Sequence, residues 1–373
     1  MKRTPLHDIQ LEAGGIAATF GEWERIAIFG DPEMEAATAH ESAIIMDSSS
    51  FGKFSITGKD AAKAIGRVIP KSVEDLKPGH VTHFVLLDEN GCGIDDGVVS
   101  RRSDNEFYLM TSTGRSATFQ DWITKHCSDA GFDYQIADQS HDFAAINLAG
   151  PKAREILSAI TEGDISKDAF RFMRIKDMDI ANVPCRVLRI GFLGELGFEL
   201  HVPSGEAVKI WNKLRGAGEL YGAKPTAIMG MSVLRLEKGH IIPGHDIDGT
   251  ANLFEAGMSF TWDRGHTGFV GEDALKALEN NTPERRLVRF QTQGKCAISP
   301  AGIMMAGDEE VGKMPSVHYS HILDKTIGIS FAKNHKNLIT DGKVRIKTED
   351  GIVGAEVLKG YSFFDPKGKR MRS

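Results

Sequence analysis

The pattern of hydrophobic and polar residues predicts both strands and helices in the first part of the chain. Residues 84–87 and 97–99 are apolar runs on either side of a glycine-rich turn, and they predict a pair of strands. Helical spacing covers residues 118–126. A further helix is expected over 152–160, because Pro151 stands where a proline commonly opens a helix. Additional helices are expected around 208–214 and over 227–238.

Residues 183–202 predict two strands joined by a turn that contains three glycines. In the second strand, Phe198 and Leu200 alternate with Glu199 and His201. This period of two is typical of a strand with one buried face and one solvated face.

The pattern changes near residue 280, where a cluster of chain-breaking residues is followed by short strand candidates at 287–291, 326–331 and 344–347. This last part is therefore predicted to be all-β, as a small barrel or sandwich. The earlier residues mix strands and helices without strict alternation, so the predicted fold class is α+β rather than a doubly wound sheet.

The composition, with 41% hydrophobic and 26% charged residues, is that of a globular protein, and 373 residues allow two or three domains. The net charge of −6 gives no overall basic field, so nucleic acid is not an expected partner. No apolar stretch reaches the roughly 18 residues of a membrane span. The four cysteines are scattered, which favours a reducing, cytoplasmic location over a disulfide scaffold or a zinc site: Cys92, Cys127, Cys185 and Cys296.

Asp95 and Asp96 follow the glycine-rich turn and enter the second strand of the predicted pair. Neighbours on a strand point to opposite faces, so only one of them can face a given pocket, and the other is expected to be solvated or to cap the turn. Glu195 lies in the other glycine-rich turn, where the backbone can approach a ligand closely. From the residues alone, each carboxylate fits either a polar turn or a group that binds an amine or a flat heterocycle.

Other motifs point away from several enzyme classes. The helix candidate at 227–238 carries Arg235 and Glu237, which fit solvated helix charges as well as a site. His245 and Asp246 lack a third ligand at suitable spacing, so no metal is expected. Neither a dinucleotide-binding nor a phosphate-binding glycine motif occurs.

In their order along almost the whole chain, these segments resemble the glycine-cleavage T-protein (aminomethyltransferase) family. The motifs that carry the resemblance are residues 4–7, 91–98, 149–151, 191–199, 234–237 and 268–271. Within the family, four stretches resemble most the folate domain at the C-terminal end of sarcosine oxidase and dimethylglycine dehydrogenase: residues 109–114, 237–242, 246–250 and 364–370.

The resemblance implies a three-domain cloverleaf with a C-terminal β-barrel. It places a discontinuous folate-binding domain at 1–50 plus 140–265, an α+β domain at 51–139 and the barrel at 280–373. It also implies tetrahydrofolate as the cofactor. Asp96 matches the family's catalytic aspartate, and Glu195 matches the residue that anchors the pteridine ring. The remaining cofactor-binding residues expected on this basis are Ser112, Phe192 and Arg235.

Three positions depart from the family pattern. His83 and Phe192 stand where the family has tyrosines, and Met231 stands where it has an arginine. These changes disfavour the lipoyl-bound substrate of glycine cleavage and favour another one-carbon donor, with His83, Met231 and Asp95 as possible donor-site residues.

The leading hypothesis is therefore a tetrahydrofolate-dependent transferase that acts on a small methylated donor, either by capturing a methylene unit or by direct demethylation. One alternative is the folate-domain subunit of a flavin amine oxidase, which needs a flavoprotein partner. Another is a non-catalytic folate-binding protein of iron–sulfur maintenance, whose cysteine-containing signature is absent from residues 268–273.

Overall fold

A computed structural model defines the structure of residues 1–247, 249–336, 338 and 342–373. Asp248, which belongs to the 246–250 motif, lies outside these residues. The helices defined within the described ranges, besides two short 3₁₀ turns, are α1 (His7–Glu12), α2 (Pro32–Glu41), α3 (Ala61–Val68), α4 (Ser116–Cys127), α5 (Ala153–Ser158), α6 (Ala207–Glu219), α7 (Ile228–Lys238) and α8 (Glu272–Leu278).

The strands up to residue 149 are β1 (Ile16–Phe20), β2 (Trp23–Ile28), β3 (Ile44–Asp47), β4 (Phe51–Thr57), β5 (Val81–Leu87), β6 (Gly93–Ser103), β7 (Glu106–Thr113), β8 (Gln135–Asp138) and β9 (Phe143–Ala149). The later strands are β10 (Arg174–Ile180), β11 (Val183–Arg189), β12 (Gly197–Pro203), β13 (Lys224–Thr226), β14 (Arg285–Gln291), β15 (Ile303–Ala306), β16 (Glu309–Ser320), β17 (Lys325–Lys333), β18 (Lys343–Thr348) and β19 (Gly351–Val357).

Within the described residues, three sheets organise the fold, and β1 and β2 form a separate hairpin. A six-stranded sheet has the order β10-β11-β12-β9-β3-β13, and a five-stranded sheet has the order β5-β6-β7-β4-β8. The last six strands close a barrel in the order β14-β17-β16-β15-β18-β19. The α+β class and the C-terminal barrel are thus confirmed, whereas the exact domain limits stay a prediction.

Each open sheet is covered by helices that supply its apolar core. Trp211 and Leu214 of α6 and Ile156 of α5 pack on the six-stranded sheet, and Ile65 of α3 and Phe119 of α4 pack on the five-stranded sheet. Buried aromatic and aliphatic side chains of this size each contribute roughly 1.5–3 kcal/mol to stability. None of the described helices has the length and apolar character needed to cross a lipid bilayer.

Strand β12 differs from its predicted pattern. Its polar residues Glu199 and His201 are as buried as the apolar residues that alternate with them. His201 bonds Tyr108 Oη through Nδ1 at 2.6 Å and Glu199 Oε1 through Nε2 at 2.9 Å. The face that was expected to be solvated is therefore a hydrogen-bonded layer that contacts the neighbouring five-stranded sheet through Tyr108.

Helix α7 is buried on almost every side, although its sequence includes Arg235, Glu237 and Lys238. It ends at Gly239, whose φ of +80° gives the left-handed conformation that favours glycine at a helix C-terminus. A Cβ atom at Gly239 would lie only 1.9 Å from the carbonyl oxygen of Tyr361. Glycine here lets the C-terminal segment pack directly against the end of α7.

Candidate functional site

The predicted strand pair is present as β5 and β6, and it positions the two aspartates. In its antiparallel register, Asp95 lies opposite Leu86 and Asp96 lies opposite Val85. Gly97 follows, and a Cβ atom there would lie 1.9 Å from the Met110 carbonyl oxygen of β7. Glycine thus allows β7 to pack closely beside the strand that carries Asp96.

Asp95 is buried, so the expectation that the second aspartate would be solvated or cap the turn was wrong. Its Oδ1 accepts a hydrogen bond from the Ser112 hydroxyl, and its Oδ2 accepts one from the Ser112 backbone N–H at 3.3 Å. Burial, followed by repulsion from Asp96, raises the pKa of Asp95 to about 7. Ser112 and Asp95 are therefore hydrogen-bonded to each other on the face of the strand opposite Asp96.

Asp96 is partly exposed and pairs with the first of the three departures from the family pattern. His83 Nε2 donates a hydrogen bond to Asp96 Oδ2 at 2.9 Å, from the adjacent strand β5. The imidazole fixes the orientation of the carboxylate without removing it from solvent.

The His83 ring begins a row of five aromatic side chains from distant segments, which we call the aromatic collar: His83, Phe260, Tyr361, His240 and Phe192. Successive ring centroids lie 6.4 Å apart for His83 and Phe260, 6.4 Å for Phe260 and Tyr361, 6.2 Å for Tyr361 and His240, and 5.4 Å for His240 and Phe192. Phe260 is 64% exposed, Tyr361 40% and Phe192 37%. An open group of aromatic faces beside a carboxylate is characteristic of a ligand surface.

The protonation of the collar is set by its surroundings. His240 Nδ1 donates to the Phe192 carbonyl oxygen at 2.6 Å, and burial lowers the pKa of His240 to about 4, so the ring is neutral at neutral pH. Burial also dominates the raised pKa of Tyr361, and the charge of Asp96 contributes to the shifts of both rings. His240 and Tyr361 therefore bring no charge to the collar, and Asp96 is the carboxylate beside them.

Glu195 belongs to a buried charge cluster at the other end of the turn that carries Phe192. Its Oε1 pairs with His40 Nδ1 at 2.6 Å, and both of its oxygens accept from Arg370 Nε, at 2.6 and 2.9 Å. His40 Nε2 reaches Glu237 Oε2 at 2.6 Å. Burial alone would lower the pKa of His40, but the two carboxylates outweigh it and raise the pKa to about 9, so His40 is an imidazolium at neutral pH.

Arg235 does not reach the collar surface, because its side chain is fully buried. It forms an ion pair with Asp246, donates to Ser316 Oγ at 2.6 Å and donates to the His240 carbonyl oxygen at 3.0 Å. The expected direct contact with the cofactor is therefore replaced by a supporting role, since Arg235 holds the backbone of His240. The same pairing places Asp246 in a salt bridge, and the described residues contain no group suited to hold a metal ion.

Met231 packs partly buried against an apolar cluster that includes Leu193 and Val233. It lies on the face of α7 that meets this cluster, and its role at the donor site stays a prediction.

The collar and the charge cluster contain several residues that were not predicted from the sequence: His40, His240, Phe260, Tyr361 and Arg370. Two of these residues could have been found from the sequence, because His240 and Arg370 lie inside the stretches 237–242 and 364–370 that resemble sarcosine oxidase. The other three lie outside every motif that carried the resemblance.

We expect Asp246→Asn to lower the free energy of unfolding by about 3 kcal/mol, because it leaves the Arg235 guanidinium buried without a counter-charge. Urea denaturation gives this value. The matched control is Asp177→Asn, which breaks an exposed pair with Arg102 and should cost less than about 1 kcal/mol. Equal, small losses in both variants would contradict the supporting role assigned to Arg235.

Comparisons with known proteins agree with the family resemblance that the sequence motifs indicate. The family model described as the GCVT N-terminal domain matches residues 6–265. The chain is 30% identical to the aminomethyltransferase of Clostridium botulinum (strain Okra / Type B1), over 94% of each chain. It is 29% identical to the sarcosine oxidase subunit alpha of Corynebacterium sp. (strain P-1), over 98% of this chain but only 40% of that subunit. The chain thus spans about two fifths of that relative.

Among solved structures, the chain resembles the glycine cleavage system aminomethyltransferase T from Bartonella henselae. The TM-score is 0.86 at 19% identity, and the match covers 97% of this chain and 98% of the other. This likeness confirms the fold expected from the sequence, including its C-terminal barrel.

Proposed function

Because the chain belongs to the glycine-cleavage T-protein family, we propose that it transfers a one-carbon unit from a small methylated donor to tetrahydrofolate. The observation that carries the proposal is the His83–Asp96 pair at an open aromatic collar. A carboxylate with a fixed orientation beside exposed rings can bind a planar heterocycle and its amine together.

The residues present fit a folate. The collar offers aromatic faces for a flat ring. The resemblance assigns Glu195, whose carboxylate is held by His40 and Arg370, to the amino and N–H donors of a pteridine. The two parts are coupled, because Phe192 and Glu195 belong to one turn between β11 and β12, and His240 bonds the Phe192 carbonyl oxygen.

Tetrahydrofolate, when bound, supplies the nitrogen that accepts the one-carbon unit. Asp96 accepts a hydrogen bond from an amine N–H and polarises it, and His83 holds the carboxylate in place. The collar orients donor and acceptor against each other, which replaces a bimolecular encounter by a fixed approach.

The collar also supports the choice of donor class. Methylated ammonium and sulfonium ions are attracted to aromatic faces, and Asp96 adds a negative charge at the same place. Phe192 contributes a face without the hydroxyl that the family's tyrosine would carry. A small methylated cation is therefore the donor that this chemistry favours.

We expect the purified protein to bind tetrahydrofolate and Glu195→Gln to weaken this binding by about 1.5–3 kcal/mol, since a charge-assisted hydrogen bond is lost. Isothermal titration calorimetry measures both values. Glu219→Gln, at the exposed end of α6, is the control and should bind as the wild type does. Absence of both heat and a thermal shift at millimolar folate would refute the proposed function.

A second candidate is a folate-domain subunit of a flavin amine oxidase. It is favoured by the match to a sarcosine oxidase subunit alpha, which covers nearly all of this chain and only part of that subunit. In this case the partner oxidises the amine, and this chain receives the resulting one-carbon unit. Affinity purification from the source cells that yields a stoichiometric flavoprotein would favour this candidate, and isolation of the chain alone with full transferase activity would exclude it.

A further inference from the structure

The last residues of the chain, 361–373, cross from the barrel to the six-stranded sheet, and we call them the C-terminal strap. The backbone N–H groups of Phe363 and Phe364 donate to the Glu237 carbonyl oxygen at 3.0 and 2.9 Å. Further along, Arg189 Nη2 of β11 donates to the carbonyl oxygens of Met371 and Ser373 at 2.6 and 2.9 Å. The strap is thus attached at both of its ends to elements that also carry the candidate site.

Between these attachments, the strap closes a turn that presents Arg370. The carboxylate of Asp365 accepts the backbone N–H groups of Lys369 and Arg370, each at 2.9 Å. Lys238 Nζ of α7 donates to the Asp365 carbonyl oxygen at 2.6 Å. The Arg370 guanidinium lies over the ring of Phe364, with 5.4 Å between the guanidinium carbon and the ring centroid.

From this turn, Arg370 reaches the charge cluster around Glu195. Besides the two contacts from Nε to Glu195, Nη2 donates to the His40 carbonyl oxygen at 2.5 Å. The Glu195 side chain is 1% exposed, whereas that of Arg370 is 34% exposed. Arg370 is therefore the more exposed partner of a buried carboxylate.

The cluster balances its charges only if Arg370 is present. Glu195 and Glu237 are both buried, and His40 lies between them and contacts both. Ser320 Oγ donates to the second oxygen of Glu237 at 2.6 Å but carries no charge. Without Arg370, two buried carboxylates would share one imidazolium, and a buried carboxylate without a full counter-charge is strongly disfavoured.

We propose that Arg370 is a positioning residue that keeps Glu195 in the orientation that binds the pteridine ring, so that the C-terminal strap is part of the folate site. This inference rests on the proposed function. We expect Arg370 to stay in place when the ligand binds and not to be displaced by it. The guanidinium is held by the His40 carbonyl, the Phe364 ring and the closed turn in addition to Glu195. With Arg370 in place, the Glu195 carboxylate is held in one orientation by Arg370 and His40 before the ligand arrives.

The test compares Arg370→Ala and Arg370→Lys with the matched control Arg372→Ala, which removes an exposed cation two residues further along the strap. Calorimetry with tetrahydrofolate gives the dissociation constants. We expect Arg370→Ala to raise Kd by about tenfold, which corresponds to about 1.4 kcal/mol. Arg370→Lys should recover most of the loss, and Arg372→Ala should bind as the wild type does.

Chemical rescue separates positioning from a general structural role. Ethylguanidinium at low millimolar concentration should restore most of the folate affinity of Arg370→Ala and leave that of the wild type unchanged. Binding by Arg370→Ala that equals or exceeds that of the wild type would overturn the inference, as would weakened binding without rescue by lysine or by ethylguanidinium. Wild-type protein that binds no folate would instead refute the proposed function, and this inference with it.

Discussion

Asp96→Asn should lower kcat by roughly 10²–10⁴-fold with the preferred donor, which is the usual contribution of a positioned acid–base group. The dissociation constant of tetrahydrofolate should change by no more than about threefold. Asparagine keeps the size of the side chain and can still accept a hydrogen bond from His83 Nε2, but it cannot accept a proton.

The placement of Asp96 explains why turnover rather than binding should respond. Asp96 lies at the collar, on the exposed face of β6, whereas the proposed ring anchor Glu195 lies in the buried cluster with His40 and Arg370. A charge change at the reacting end of the site leaves the anchor intact. Steady-state kinetics and calorimetry on the same preparation separate the two effects.

Asp104→Asn is the matched control, because Asp104 is exposed at the far end of the same β6–β7 hairpin. It should leave both kcat and the folate dissociation constant unchanged. If Asp96→Asn instead kept its turnover and lost folate affinity, Asp96 would be a binding residue and the assignment of roles would be reversed.

Local patterns were sufficient to predict the elements that carry Asp96. The apolar runs around the glycine-rich turn became β5 and β6, and the change of pattern near residue 280 became the closed barrel. In both cases, the information lies within a few neighbouring residues, as hydrophobic period and turn composition. The residue pattern also predicted that Asp95 and Asp96 would point to opposite faces of the strand. It did not show that Asp95 is buried and hydrogen-bonded to Ser112.

The charge cluster could not be predicted in this way, because its members are far apart in sequence. His40 is 155 residues from Glu195 and 197 from Glu237, and Arg370 is 175 residues from Glu195. Each of these residues alone has the pattern of an ordinary surface charge. Only the packing of α2, α7 and the C-terminal strap brings them together.

The burial of the polar residues of strand β12 could not be predicted from the sequence pattern either. The alternation of Phe198 and Leu200 with Glu199 and His201 is typical of a strand with a solvated face. A second sheet covers that face and provides Tyr108 as a partner for His201. A sequence period identifies which residues share a face, but it cannot show whether another part of the chain satisfies the polar side chains in the interior.

The identity of the one-carbon donor should have a large effect on kcat/KM. We expect kcat/KM for a methylated ammonium or sulfonium donor to exceed that for a lipoyl-carried aminomethyl group by about 10³-fold. The family's tyrosine and arginine are Phe192 and Met231 in this chain, so one hydroxyl and one cation are lost. A neutral hydrogen bond is worth about 1 kcal/mol and a charged one up to about 3 kcal/mol, and about 4 kcal/mol corresponds to this ratio.

We expect the two positions to contribute to this effect in different ways. Phe192 is exposed in the collar and stacks on His240, where it can contact a donor directly. Met231 packs against the apolar cluster beside Leu193, and the charge of the family's arginine is missing at this position. At His83, the third departure, an imidazole pairs with Asp96 where the family has a phenol.

A panel of four donors tests the prediction: an aminomethyl-lipoyl carrier, sarcosine, dimethylglycine and a methyl sulfonium compound. Each is assayed with tetrahydrofolate, with and without a flavin amine oxidase, and the folate products are identified by mass. Turnover of sarcosine or dimethylglycine only with the oxidase would favour the subunit role. The matched variant Phe192→Tyr restores the family hydroxyl and should shift the ratio toward the lipoyl carrier. Efficient turnover of the lipoyl carrier alone by the wild type would show that the three departures merely repack the protein and do not select its donor.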